Sequence, residues 1–101
     1  MAASRFFTRA WGQDAREAFC AAVEAARREH GGEGYTGTIA EKRSVVLVGA
    51  AANWDDAERV ARGLIEANDR RIDDRCGPAG AIQVGRGGGR GCWLLFGWAS
   101  R

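Results

Sequence analysis

The segment DAREAFCAAVEAARREHG, residues 14–31, carries the strongest local signal in this chain. Asp14 followed by Glu17 matches the capping box that opens a helix. Apolar residues then recur with the 3.6-residue helical period, at Ala15, Ala18, Phe19, Ala22, Val23 and Ala26. Gly31 is a natural helix terminator. Because the stripe is mostly alanine, the pattern predicts a helix that lies close against a sheet.

Several other segments have the composition of strands, which favours β-branched and aromatic residues. They are residues 4–11, 35–41, 45–48, 81–84 and 92–98. The second and third flank a polar turn and predict a hairpin. A second helix is predicted in NWDDAERVARGLIEAND, capped by Asn53 or Asp55. The segment 69–80 has no periodicity and predicts an irregular loop.

The element order is therefore β-α-β-β-α-β-β. It predicts an α+β fold, with two helices on one face of a mostly antiparallel sheet. The first six elements match the ferredoxin-like arrangement, and the seventh adds a C-terminal strand. A chain of 101 residues suits a single domain over residues 1–101.

Two of the strand segments are apolar on both faces. A strand with one solvated face alternates apolar and polar residues, but VVLV (45–48) and WLLF (93–96) do not alternate. Something must therefore cover the second face of the sheet. In so short a chain we expect the cover to be a partner protein or another copy, and we predict a homo-oligomer.

The composition excludes several classes of protein. No apolar run approaches the roughly 20 residues of a membrane span, so we expect a cytoplasmic protein without membrane contact. Three cysteines and a single histidine predict neither a disulfide framework nor a metal site. We expect Cys20 and Cys92 to be buried small hydrophobes and Cys76 to be an exposed thiol. The net charge of +2 is too small to demand a nucleic-acid partner.

The segment GRGGGRG, residues 85–91, is the first candidate site. A phosphate-binding loop needs a helix after it and a Lys-Ser/Thr ending, whereas here a strand follows. Arg-Gly segments that bind RNA usually lie in disordered regions. We therefore interpret the segment first as a hairpin connection, and second as a loop that presents Arg86 and Arg90 to an acidic or polyanionic partner.

The segment GYTGTIAEK is the second candidate. On a strand, Thr36, Thr38 and Lys42 would share one face, while Tyr35 would lie on the other. The hydroxyl residues also have high β-propensity, which explains them without a ligand. The neighbouring glycines leave room for close approach of a backbone, so a ligand-binding role stays open.

The third candidate is the loop around Asp73, Asp74 and Arg75. Paired acids can serve a metal or acid–base chemistry, but adjacent acids among arginines usually form a solvated salt-bridge cluster. No nucleophile and base can be paired in the sequence. We therefore predict a non-enzymatic protein with no catalytic residue, cofactor or metal.

The segments GYTGTIAEK, RIDDRCGPAG and LLFGWAS together resemble a family of small uncharacterised proteins of phages, prophages and their bacterial hosts. The likeness covers most of the chain. It implies a phage or mobile-element accessory protein, for which inhibition of a host defence complex, such as an anti-CRISPR activity, is the first function to test. The partner would be a host protein or ribonucleoprotein complex. The alternative is a module that binds RNA or binds or sequesters a nucleotide.

Overall fold

The computed structural model describes residues 3–30, 39–74, 76–85 and 91–100. The strands and helices, in chain order, are β1 (Ala3–Gly12), α1 (Ala15–His30), β2 (Val45–Ala51), α2 (Trp54–Glu66), β3 (Ala79–Val84) and β4 (Gly91–Ser100). A short 3-10 turn, Ile39–Glu41, lies between α1 and β2.

The four strands form one mixed sheet in the order β1-β4-β3-β2. β4 lies between β1 and β3 and runs antiparallel to both. β2 is the second edge strand and pairs in parallel with β3, and α2 makes the crossover between those two strands. The α+β class, with two helices and a four-stranded sheet, is confirmed.

Both helices begin where the sequence predicts. In α1 the Glu17 N–H donates to Asp14 Oδ1 (2.8 Å), and the Gln13 N–H donates back to Glu17 Oε2 (3.3 Å). The predicted cap by Asp14 is confirmed, while Glu17 accepts the N–H of Gln13 and not that of Asp14, as the capping box would require. In α2 the side chain of Asn53 accepts the Asp56 N–H at 2.8 Å. Neither helix in the described part of the chain is long and apolar enough to cross a lipid bilayer.

The two helices lie on opposite faces of the sheet. Successive residues of a strand point to opposite faces, and along β4 Trp93 and Leu95 pack in one apolar cluster while Leu94 and Phe96 pack in the other. The first cluster contains the stripe of α1, and the second contains the buried face of α2. The prediction that both helices share one face is therefore wrong, and the molecule has three layers.

The direction of the two crossovers explains this arrangement. β1 and β2 are parallel to one another, because each antiparallel step through β4 reverses the direction once. The β1-α1-β2 crossover goes from one edge of the sheet to the other, and the β2-α2-β3 crossover returns. Crossovers between parallel strands are almost always right-handed. Two crossovers of one hand that run in opposite directions must place their helices on opposite faces.

The same arrangement accounts for one of the two strand segments that are apolar on both faces. Each face of WLLF meets a layer of this chain, as in sheets covered by helices on both sides. On β2, α2 covers one face of VVLV, whereas Leu47 on the other face remains 57% exposed. The apolar pattern of WLLF thus has an explanation within one chain, and the homo-oligomer stays a prediction.

The predicted hairpin of residues 35–41 and 45–48 is also wrong where the structure describes it. Residues 39–41 form a 3-10 turn, and β2 pairs in parallel with β3. Ile39 is fully buried in the cluster under α1, so this β-type residue is explained by tertiary burial and not by strand pairing. Residues 35–38 lie outside the described residues.

Candidate functional site

The predicted binding residues fall into two groups. Lys42, Asp73 and Asp74 have described positions, whereas the others lie outside the described residues. Those others are Tyr35, Thr36, Thr38, Arg75, Arg86 and Arg90. The candidate site in GRGGGRG therefore remains a prediction.

Lys42 follows the 3-10 turn and does not lie in a strand, so the prediction that it belongs to a strand face is wrong. Its side chain is buried, with 2% of its surface exposed. The ammonium Nζ donates to the carbonyl oxygens of Asp74 (3.3 Å) and Gly77 (3.0 Å). Lys42 thereby ties the segment after α1 to the loop before β3.

The loop that precedes β3 is held by short-range hydrogen bonds. Asp73 and Asp74 are exposed, and Asp74 Oδ1 accepts the Cys76 N–H at 2.8 Å. Cys76 is exposed, as predicted. Among the described residues no group of three or more His, Cys, Asp or Glu could hold a metal ion. The arrangement stabilises a turn.

The ion pair of this loop lies a few residues earlier. The Arg71 guanidinium donates to both carboxylate oxygens of Asp69 at 2.9 Å, and the Arg71 N–H also donates to Asp69. These hydrogen bonds from Arg71 lower the pKa of Asp69 from its ordinary 3.8 to about 2. Arg71 is exposed and Asp69 is partly exposed, and the pair belongs to the loop, not to a cleft.

A groove lies between α1 and the segment that leads into β2, and we call it the α1–β2 groove. Its larger part has a volume of about 490 Å³ and is lined by Phe19, Val23 and Arg27 from the helix and by Arg43 across from it. A second recess of about 380 Å³ is lined by Phe19, Cys20 and Arg43 as well, and adds Arg16. Because they share three lining residues, the two recesses form one elongated groove.

The position of α1 on the sheet creates this groove. At the start of the helix, a Cβ on Gly12 would lie 2.6 Å from the Ala18 backbone nitrogen, so the helix touches β1 directly. The helix is thus held over the β1 side of the sheet. Across the groove on β2, Val45 is only partly buried, and Leu47, on the same strand face, is 57% exposed.

The groove has an apolar floor and arginines on both sides. Phe19 and Val23 form part of the floor. Arg28 forms an ion pair with Glu24, whereas no ion pair within the described residues engages Arg16, Arg27 or Arg43. All three of these arginines are exposed. The groove therefore offers positive charge at its rim and apolar contact below.

Cys20 was predicted to be buried, and this prediction is wrong. The residue is exposed on the groove side of α1. Arg16, Cys20 and Arg27 are spaced at i, i+4 and i+11, so they share the helix flank beside the apolar stripe. That spacing could have indicated a polar flank in the sequence. It could not have shown that β2 and Arg43 lie opposite, since this depends on the sheet order.

The chemistry of the groove is that of a binding surface. Sites for small ligands usually combine apolar walls with a few precisely placed buried polar groups. In the described part of the chain, no buried side-chain nitrogen or oxygen lacks a hydrogen-bond partner. The groove instead presents exposed guanidinium groups, which pair with carboxylates or phosphates through a planar fork of donors.

Comparison with known proteins adds no relative to this description. The chain matches no protein-family model, no curated protein and no solved structure.

Proposed function

We propose that this protein is a non-enzymatic binding protein that holds an acidic, partly apolar segment of a partner protein in the α1–β2 groove. The observation that carries the proposal is the combination of an apolar floor at Phe19 and Val23 with arginines on both walls. An apolar anchor of the partner would lie on the floor. Carboxylates on either side of the anchor would reach Arg16, Arg27 and Arg43.

The length of the groove supports a peptide segment as its ligand. Arg16 and Arg27 are eleven residues apart on one helix flank, which corresponds to about 16 Å along the axis. About five residues of extended chain cover that distance. The exposed Leu47 on β2 extends the apolar surface beyond the groove, and it would contact the same segment.

The apolar contacts and the arginine–carboxylate contacts contribute differently to binding of the segment. Burial of an apolar anchor supplies most of the affinity, as at other interfaces where a few central residues dominate. The arginines at the rim stay partly solvated, so their pairing with carboxylates mainly speeds association and selects acidic partners. Binding of this kind weakens as the salt concentration rises, because exposed charges are screened.

A peptide-display selection against the wild-type protein tests the proposal. We expect enriched peptides that combine Asp or Glu with Leu or Phe. The double variant R16E/R43E reverses two charges on opposite walls of the groove and should weaken their binding at least tenfold. The matched control R59E/R70E reverses two exposed arginines outside the groove, and it should bind like the wild type.

Two results would contradict this function. One is enrichment of peptides without acidic residues. The other is equal binding of the selected peptides to R16E/R43E and to the wild type. The thermal unfolding temperature of each variant is measured alongside, because exposed charges contribute little to stability and the fold should survive both reversals.

The resemblance to phage-associated proteins supports one kind of partner for this groove. We propose a host defence complex, with CRISPR interference as the first system to test. Expression of the wild-type protein should restore phage plating on an immune host, and R16E/R43E should fail to restore it. If R16E/R43E also restores phage plating, then the inhibition of host defence does not depend on the α1–β2 groove.

A further inference from the structure

Trp11 is an exposed aromatic residue on a rigid element. It lies near the end of β1 and is 55% exposed. Its ring meets the ring of Trp54 edge-on, with 6.1 Å between centroids and an angle of 69° between the ring planes. Trp54 is the first residue of α2, whose start is fixed by the Asn53 cap. The exposed ring of Trp11 is therefore held in a defined position, on the face of the sheet opposite to the α1–β2 groove.

Two arginines stack on aromatic rings beside it. The Arg9 guanidinium carbon lies 4.7 Å from the centroid of Trp54, and that of Arg62 lies 4.7 Å from the centroid of Phe7. Phe7, Arg9 and Trp11 alternate along β1 and so share the face that α2 covers. Together with Trp54 and Arg62 they form what we call the Trp–Arg ladder.

The ladder carries positive charge. Arg5 continues the same face of β1 and is exposed, as is Arg9. Three carboxylates of α2 lie beside the ladder. Glu58 forms an ion pair with Arg62 at 2.7 Å, Asp56 forms one with Arg59 at 3.5 Å, and Asp55 is exposed. A guanidinium that is stacked on a ring keeps its N–H groups in the plane of its fork, where they can meet an anion.

We infer from this geometry that the Trp–Arg ladder is a binding site for single-stranded nucleic acid. Proteins bind single strands without sequence preference by combining a basic track for the backbone with aromatic rings on which bases stack. Trp11 supplies the open ring, and Arg5 and Arg9 supply the charge. Same-face residues of a strand repeat at about 6.7 Å, a repeat close to that of an extended sugar–phosphate backbone.

This site is separate from the groove of the proposed function. The ladder lies on the α2 face of the sheet, whereas the groove lies on the α1 face. A protein partner could also use exposed Trp and Arg. Two features favour nucleic acid. The exposed arginines Arg5 and Arg9 lie on β1, on the same strand face as Trp11, and the largest exposed group is a flat ring that accepts any base.

Fluorescence anisotropy of a labelled oligothymidylate of about 12 nucleotides, titrated with the full chain at low salt, tests the inference. We expect binding that weakens steeply with salt. Trp11→Ala should weaken it about tenfold, since base stacking contributes about 1–3 kcal/mol. Arg9→Gln should weaken it less and should lower the slope of log affinity against log salt by about 0.7, the value for one phosphate contact on a single strand.

Matched variants keep the two sites apart. Leu47→Ala removes an apolar residue of equal exposure on the other edge strand, and Arg16→Gln removes an arginine of the α1–β2 groove. Both should bind the oligonucleotide like the wild type. The inference is overturned if no binding occurs at micromolar protein, or if Trp11→Ala binds as tightly as Leu47→Ala. It is also overturned if Trp11→Ala impairs only peptide binding.

Discussion

The two helical layers of this protein cover the sheet in different ways. On the α2 face, isoleucine and phenylalanine fill the space between helix and sheet, and Ile72, Ile82 and Phe96 are fully buried. On the α1 face, the helix approaches β1 through alanines, and Gly12 permits direct contact with its backbone. The α1 layer also buries large side chains, among them Ile39 and Leu95, so what distinguishes it is the direct contact between the helix backbone and β1 at Gly12.

This difference explains where the candidate binding surfaces lie. Small side chains under α1 hold the helix low over one edge of the sheet, so the face of β2 beside it stays partly open and forms the α1–β2 groove. On the other face, α2 packs on β2, β3 and β4, and the side chains of Trp11 and Arg9 on the edge strand β1 remain exposed beside it.

The largest expected effect is on the filled layer. Phe96→Ala should lower the free energy of unfolding by about 3–5 kcal/mol, because it leaves a cavity among fully buried side chains. Phe19→Ala should cost less, about 2–3 kcal/mol, since the lost side chain borders the groove and water can enter. Urea unfolding measures both values. Equal losses of unfolding free energy in the two variants would contradict the expectation that Phe19 borders a groove that water can enter.

A smaller effect is expected where α1 touches β1. Gly12→Ala should destabilise the protein by about 1–3 kcal/mol, because the new methyl group would meet the backbone of Ala18. Gly63→Ala is the matched control on the other helix. There a Cβ has no heavy atom within 4 Å, so the change should stabilise α2 by about 0.5–1 kcal/mol. Opposite signs in thermal unfolding confirm the close approach, and a neutral Gly12→Ala contradicts it.

The smallest effect concerns pH and the loop beside α2. The folded-state pKa of Asp69 is about 2, below its ordinary 3.8, so the ion pair with Arg71 stabilises the fold above pH 3.8. That contribution should be lost as the pH falls from 3.8 to about 2. The unfolding temperature of the wild type should therefore fall more over this window than that of Asp69→Asn. Parallel curves would show that the exposed pair does not affect stability.

Local signals in the sequence predicted the helices and most of the strands. The cap at Asp14, the cap at Asn53 and the apolar stripe of α1 all depend on residues a few positions apart, and the structure confirms each. The predicted antiparallel pairing of β3 with β4 is also confirmed, and these two strands are close neighbours in the chain. Such features can be predicted because the residues that cause them are neighbours in the chain.

Features that depend on distant contacts were not predictable in this way. Nothing near residues 45–48 indicates that they pair in parallel with β3. The hairpin of residues 35–41 and 45–48 was predicted because a polar turn separates these two segments in the sequence. The burial of Lys42 depends on carbonyl groups more than thirty residues away. The α1–β2 groove likewise brings Arg16 and Arg43 together only through the sheet order.

The pairing of β1 with β4 has a consequence for how the chain reaches this structure. Ala3 pairs with Ser100 and Gly12 with Gly91, so the contacts of the first strand span almost the whole described chain. Contacts between such distant segments slow folding, because the loop must close before they stabilise anything. While the chain is being synthesised, β1 has to wait for residues 91–100 to leave the ribosome. Until then its aromatic side chains are exposed to association with other chains or to capture by a chaperone.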